Sequence, residues 1–280
     1  MRRISAIATI RDAYGFTIAH LGDIIGLIWV PMVLGTVMGF FSLQRYYADF
    51  SAALVSNNMA ALAPSALMML CCLVAEFLLL AMMCVATVQL ALGARAPAAV
   101  AHFAFGNPEW RMFRAIAGLW LMAVLPVFVI GGAVFKAAGV QADAAQLGVL
   151  FYVVILLALP RFFLLLPAIA VGENAPVLRR AWMMSAGNFW RLLLVLLAIF
   201  GPVFVLLIGA DMVLMGQDLV LSGDEQQQMR TVISRLRATL PLISGLWFLV
   251  SPLVVGLLAG ASVSAWRALK DEPAALDIAV

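Results

Sequence analysis

Few residues in this 280-residue chain have types and settings suited to chemistry, and Glu76 stands out among them. It falls near the middle of an apolar run at 65–92, where a bare carboxylate costs several kcal/mol to keep charged. Such a group must be neutral, paired or turned toward water. Arg161, in another apolar run of the same direction, is the ready partner: at helical rise it lies ~6 Å nearer the cytoplasmic face, within reach of an Arg side chain. Two readings follow. Glu76 and Arg161 form a buried pair that fixes helix register, or Glu76 belongs to a proton or solute site inside a bundle. Pro160 removes one backbone donor, which predicts a kink just before Arg161 and a freed carbonyl that a polar side chain or water can satisfy.

The remaining chemical groups are sparse. His20 and His102 are the only histidines, both near the same membrane face, with no cysteine or acidic cluster at ligand spacing. Together with Glu173 they could meet as a lipid-modifying centre, but nothing in their spacing requires it. Cys71 and Cys72 are adjacent and cannot bridge, and Cys84 sits ~18 Å further along a helix, so free thiols are expected. The signatures H-E-x-x-H, G-x-S-x-G and G-x-x-x-x-G-K-[ST] are missing, which argues against a metalloprotease, a serine hydrolase and an ATPase. The Met and Phe residues fit lipid-facing and packing roles. No metal, no cofactor and no enzymatic activity are expected.

The elements that must position these groups are membrane helices. Hydrophobic residues make up 65% of the chain and charged residues 11%, with a mean hydropathy of +1.09. An ordinary soluble domain carries roughly 25% charged residues, so a soluble fold is excluded. The net charge of +3 is spread among apolar runs rather than gathered on one face, which argues against nucleic acid. Six runs are long enough to span a bilayer: 24–43, 65–92, 113–135, 145–170, 190–210 and 241–266. The expected fold is an all-α polytopic transmembrane bundle, one domain over residues 1–280, leaving no room for a soluble catalytic domain. Twelve of the 17 cations then fall on one side and five on the other (Arg45, Lys136, Arg230, Arg235 and Arg237), which predicts cytoplasmic N- and C-termini. The first apolar stretch is interrupted by Arg11 and Asp12 with no following A-x-A site, so no cleaved signal peptide is expected.

Short amphipathic helices are predicted before the odd-numbered spans. In the first, Ile7, Ile10, Tyr14, Ile18 and Leu21 recur at spacings of three and four, with Arg3, Arg11 and His20 off that stripe. The second, at 97–105, is weaker. The third runs from Pro176 to Ala186, with Val177, Leu178, Ala181, Trp182 and Met184 on its apolar face and Arg179 and Arg180 toward headgroups. The junctions Gly106-Asn107-Pro108-Glu109-Trp110-Arg111 and Gly187-Asn188-Phe189-Trp190-Arg191 look alike: Gly closes one helix, Asn caps the next, and Trp-Arg sits at headgroup depth. Pro31, Pro126 and Pro202 fall in the odd-numbered spans, and three helical hairpins of common plan are expected. A capping box at Ser222-Gly223-Asp224-Glu225 predicts a separate outer surface helix before the last span. Gly35 and Gly39, and Gly256, Gly260 and Ser264, are small residues every fourth position, suited to internal packing or to an oligomer interface.

Residues 161–191 carry a recognisable pattern: Arg161, Leu166-Pro167, Glu173, Arg180-Ala181, Ser185 and Gly187-Asn188-Phe189-Trp190-Arg191. This resembles the YciC-like bacterial integral membrane proteins, a group related to the membrane domain found beside some glycerophosphodiester phosphodiesterases. The resemblance implies a six-helix membrane domain of the bacterial inner membrane and supplies no catalytic residues. In the fused relatives the chemistry belongs to a separate soluble barrel, which this chain lacks.

Two functions follow. The first is a non-enzymatic membrane protein whose cytoplasmic interfacial helices contact lipid headgroups or a membrane partner, through a cluster of Glu173, Arg179, Arg180, Ser185, Trp190 and Arg191. The second is a small-solute or proton-coupled transporter that uses Glu76 within the bundle. Oligomeric state is open.

Overall fold

The computed structural model describes residues 3–94, 105–125, 133, 144–172, 177–185, 187–215 and 225–270. Among them every regular element is helical, as expected where lipid leaves backbone groups no partner outside their own helix. Ser5, in extended geometry, accepts a hydrogen bond from the Ala8 N–H and starts α1 (Ala6–Ala19). His20 closes α1 and opens α2 (Leu21–Ser56), which ends at Asn57 in the left-handed region (φ 51°). A 3₁₀ turn (Met59–Leu62) leads into α3 (Ala63–Leu92), closed by Gly93 at φ 73°, where the Ala94 N–H reaches back to the Gln89 carbonyl. There follow α4 (Asn107–Leu125), α5 (Ala144–Phe162), α6 (Leu165–Ala170), α7 (Val177–Ser185), α8 (Phe189–Met215) and α9 (Glu225–Lys270).

Four of these, α2, α3, α8 and α9, are long and apolar enough to cross a membrane, and they contain four of the six expected spans. The other two expected spans correspond to α4, whose predicted continuation to 135 lies outside the described residues, and to α5 with α6. At ~1.5 Å per residue the 36 residues of α2 and the 46 of α9 run well past a ~30 Å hydrocarbon core.

α1 and α2 lie in succession along α9, antiparallel to it. The contact is close because the facing residues are small. A Cβ on Gly256 would come within 2.8 Å of Thr17 Cγ2, and one on Gly260 within 3.1 Å of Ala13 Cα. Gly256 and Gly260 therefore serve internal packing. The predicted stripe on α1 needs revision: Ile7 and Ile18 are 81% and 72% exposed, and the buried face is Thr9, Ala13 and Thr17. Small residues win that face because only they let α1 approach α9 at backbone distance. Ser264 donates to Asp12 (2.9 Å) on the same seam, and Arg267 donates to the Ala91 and Leu92 carbonyls at the C-terminal end of α3.

The main core lies at the end of the bundle that carries both chain ends, where Val85, Met112, Leu164, Leu192, Val195 and Ile199 are buried together. Ile4 is drawn into it. Its N–H donates to Asn188 Oδ1 (3.1 Å) and its carbonyl accepts from Arg191 Nη1 (3.0 Å), so the segment before α1 is held on both sides.

Three sequence expectations change in detail. The fourth span is expected to bend just before Arg161, and the break in regular helix comes a few residues further on. α5 continues through Pro160 to Phe162, turns at Phe163–Leu164 and resumes as α6. The break precedes Pro167, whose ring would press on the Phe163 carbonyl in a continuous helix but fits the first turn of a new one. The separate outer surface helix does not exist: α9 is continuous from Glu225 through Pro241 and Pro252 to Lys270. Buried Ile233 and Leu240 before Pro241 and buried Val255 beyond Pro252 show that α9 packs against the bundle on both sides of its prolines, and Ser251 donates to the Phe248 carbonyl (3.1 Å) that Pro252 leaves without its helical donor. The capping box at Ser222-Gly223-Asp224 lies outside the described residues, as do all but the last residue of the helix predicted at 97–105, Pro126 and Lys136.

The third difference is at the two junctions, which do not share a plan. At the first, the cap position is Gly106, whose N–H donates to Glu109 (2.9 Å), while Asn107 is exposed. At the second, Gly187 takes φ 81°, Asn188 precedes α8, and its Oδ1 accepts from the distant Ile4 N–H.

Tyr14 makes a further bond across the fold, donating to the Ala198 carbonyl (3.2 Å). Ala198 lies four residues before Pro202, which cannot supply the helical N–H. Tyr14→Phe is expected to destabilise the protein by roughly 1–3 kcal/mol by orphaning this carbonyl. Pro202→Ala restores a helical donor, so the Tyr14→Phe penalty should shrink in the double variant. A double-mutant cycle of thermal unfolding in mild detergent checks this, and additive losses would refute it.

Candidate functional site: a carboxylate at an intramembrane cavity

α2 and α3 are antiparallel and approach closely at two glycines one turn apart. A Cβ on Gly35 would touch Leu79 Cδ1 at 3.7 Å, whereas one on Gly39 would lie 2.7 Å from Glu76 Oε1. The carboxylate thus occupies the space a larger residue at 39 would fill. Any side chain there would displace it.

Glu76 borders a cavity of about 390 Å³ between α2, α3 and α9. The wall is mainly apolar and includes three aromatic rings, Phe40, Phe77 and Trp247. Ser244 and Ser251 line the α9 side, although the Ser251 hydroxyl is already committed to the Phe248 carbonyl. Among the described residues no other carboxylate and no cation lines the cavity. Among the described residues no ion pair to Glu76 occurs. The arrangement is one acidic group facing an aromatic, mainly apolar space, which suits a ligand that couples an apolar body with positive charge.

The other sequence-singled residues are spread out. The Arg161 backbone lies in α5, which packs on α4, α7 and α8. Its side chain lies outside the described residues, as do Glu173 and the side chains of Arg179 and Arg180. Ser185 is fully buried, with its hydroxyl donating to Trp182 in its own helix (2.9 Å). Trp182 and Trp190 are 53% and 75% exposed at the corner between α7 and α8. Arg191 is turned inward onto Ile4. Exposed His20 pairs with Asp23 (3.2 Å) at the break between α1 and α2, and His102 lies outside the described residues. Cys71, Cys72 and Cys84 are free thiols. Among the described residues no group of His, Cys, Asp and Glu is placed to hold a metal ion.

Two functional features were missed from the sequence. The aromatic wall was absorbed into a general packing role, and its signal, Phe40 next to Gly39 and Phe77 next to Glu76, becomes informative only once Trp247 is known to face them. The Asn188 clasp on Ile4 joins positions 184 residues apart and left no local signal.

Comparison of the chain with family models, with curated proteins and with solved structures gives no match. The site must therefore be read from its own geometry.

With Glu76 directed at α2 and the cavity, its stability effect should be independent of Arg161. Glu76→Leu and Arg161→Leu are expected to change thermal stability additively, to within about 0.5 kcal/mol. Strong destabilisation by each single change with recovery in the double variant would instead establish a structural ion pair.

Proposed function

We propose that this protein is a non-enzymatic integral membrane protein that binds, and carries across the bilayer, a small apolar solute bearing positive charge. Glu76 is its intramembrane anchor. The observation that carries this reading is the carboxylate at the wall of an aromatic cavity, opposite a glycine that leaves it room. A charge in such a place is expensive unless a ligand or proton uses it. The same carboxylate can hold the cationic solute or, in its absence, a proton, which is the exchange a proton-coupled carrier needs. Phe40, Phe77 and Trp247 supply ring faces for the cation and apolar area for its body.

The topology we infer has six spans, with α4 and with α5–α6 forming the third and fourth. Both termini are cytoplasmic, supported by the twelve-to-five distribution of cations. The resemblance at residues 161–191 favours the bacterial inner membrane.

Ethidium, an aromatic cation of suitable size, is the probe. Purified protein in mild detergent should bind it saturably by fluorescence anisotropy, and Glu76→Gln should weaken binding about tenfold, equivalent to about 1.4 kcal/mol. Equal binding by wild type and Glu76→Gln would sink the reading.

A second reading rests on the exposed Trp182 and Trp190 beside Arg179 and Arg180 at the α7–α8 corner. This is the composition of a headgroup-contacting surface, with membrane lipids or a membrane partner as its ligand. Replacing both arginines with Gln should then lower the anionic lipid that copurifies with the protein, and unchanged lipid content would argue against it.

A further inference from the structure

At the end of the bundle remote from the chain ends, α2 and α9 enclose a second cavity of about 440 Å³. Its polar lining is Gln44, Tyr47 and Ser51 from α2 and Arg230, Ser234 and Arg237 from α9. The residues recur every three or four positions on each helix, so each set forms one face, and the two faces meet. Two guanidinium groups, a phenol and two serine hydroxyls converge, and among the described residues no carboxylate lines the space. The neighbouring acid, Asp49, is engaged by Arg45 at 3.0 Å. The position is held by tertiary contacts: Ile233 and Ala53 are buried, and Arg230 Nη2 lies 3.4 Å from the Leu54 carbonyl.

The chemistry of this lining is that of a phosphate site. Arginine presents paired N–H donors matched to phosphate oxygens, while the Ser51 and Ser234 hydroxyls donate to the Ala48 and Thr231 carbonyls of their own helices and would have to rotate to join them. Gln44 adds a second requirement. Its Oε1 is buried without a hydrogen-bond partner among the described residues, and Gln44 lines the cavity. An occupant with a donor next to its phosphate would satisfy it. Position adds to this. The apolar stretch of α2 ends at Leu43 and that of α9 begins at Pro241, so the cavity starts one residue beyond the hydrocarbon on one helix and three on the other. That is headgroup depth.

We propose that this cavity is a binding site for a phosphate ester carrying a neighbouring hydroxyl or ammonium donor, the chemistry shared by a phosphatidylglycerol or phosphatidylethanolamine headgroup and by free glycerol phosphate. It is separate from the Glu76 cavity in position and in charge. It lies on the side of the bundle opposite the Arg179 and Arg180 corner.

The test titrates full-length protein in a non-ionic maltoside detergent with four probes, following thermal stability: dihexanoyl phosphatidylglycerol, dihexanoyl phosphatidylethanolamine, dihexanoyl phosphatidylcholine and glycerol 3-phosphate. The first two should stabilise saturably, and phosphatidylcholine, which has no donor, should need about tenfold higher concentration for the same effect. Stabilisation by glycerol 3-phosphate at similar concentration identifies a soluble ester as the occupant. Its failure where the lipids succeed identifies a lipid headgroup. Arg230→Gln with Arg237→Gln should raise the half-saturating concentration at least about tenfold, and Gln44→Leu should abolish the preference over phosphatidylcholine. Should the double variant not remain monodisperse, Arg237→Gln alone, an exposed position, carries the same expectation at smaller size. No saturable stabilisation by any probe, or equal stabilisation of wild type and arginine variants, overturns the proposal. Equal response to phosphatidylcholine overturns the role of Gln44. Glu76→Gln leaves all of these responses unchanged, so failure here is distinct from failure of the cation site.

Discussion

The close approach of α9 to the α1–α2 pair at Gly256 and Gly260 is the contact on which the rest of the packing depends. Lipid is as apolar as a leucine side chain, so helices in a bilayer gain little from hiding leucines from it and associate through shape and polar contacts instead. Two glycines facing Thr17 and Ala13 let backbones nearly touch. Once α1 lies there, Asp12 meets Ser264, and Tyr14 and Ile4 reach α8. Arg267, further along α9, then closes the end of α3. Helices from the beginning, middle and end of the chain are joined at one end of the bundle by these few bonds.

Prolines impose the second constraint. Each one inside a helix strips a carbonyl of its donor, and in an apolar interior that group must find another. The fold answers locally at Pro252, through Ser251, and from a distant helix at Pro202, through Tyr14. At Pro167 it answers by breaking the helix and beginning another. Three prolines with the same chemistry are thus accommodated in three ways, chosen by which neighbour happens to be a hydroxyl.

The dense packing near the chain ends contrasts with the seam further along α2, α3 and α9. There the glycine at 39 is opposed by a carboxylate rather than by an aliphatic group, and the helices leave open space instead of closing it. The proposed binding site and the tightly packed core are thus separated along the length of the same helices.

Much of this was determined by the sequence alone. Runs of 20 or more apolar residues have no stable state except a helix in lipid, and the helices α2, α3, α8 and α9 follow from that directly. The oddity of Glu76 was equally legible, since a carboxylate in such a run is conspicuous without any coordinates. Helix ends and partners were not. Whether Pro160 or Pro167 breaks a helix, whether Pro241 ends one, and whether the buried face of α1 is its isoleucines or its small residues are settled by what lies across the interface. The same holds for the direction of Glu76, toward Gly39 on α2. Hydropathy reports the preference of a segment for its solvent. The choice among neighbours inside that solvent is made by shape and by hydrogen bonds between positions far apart in the chain, and it exists only in the tertiary structure.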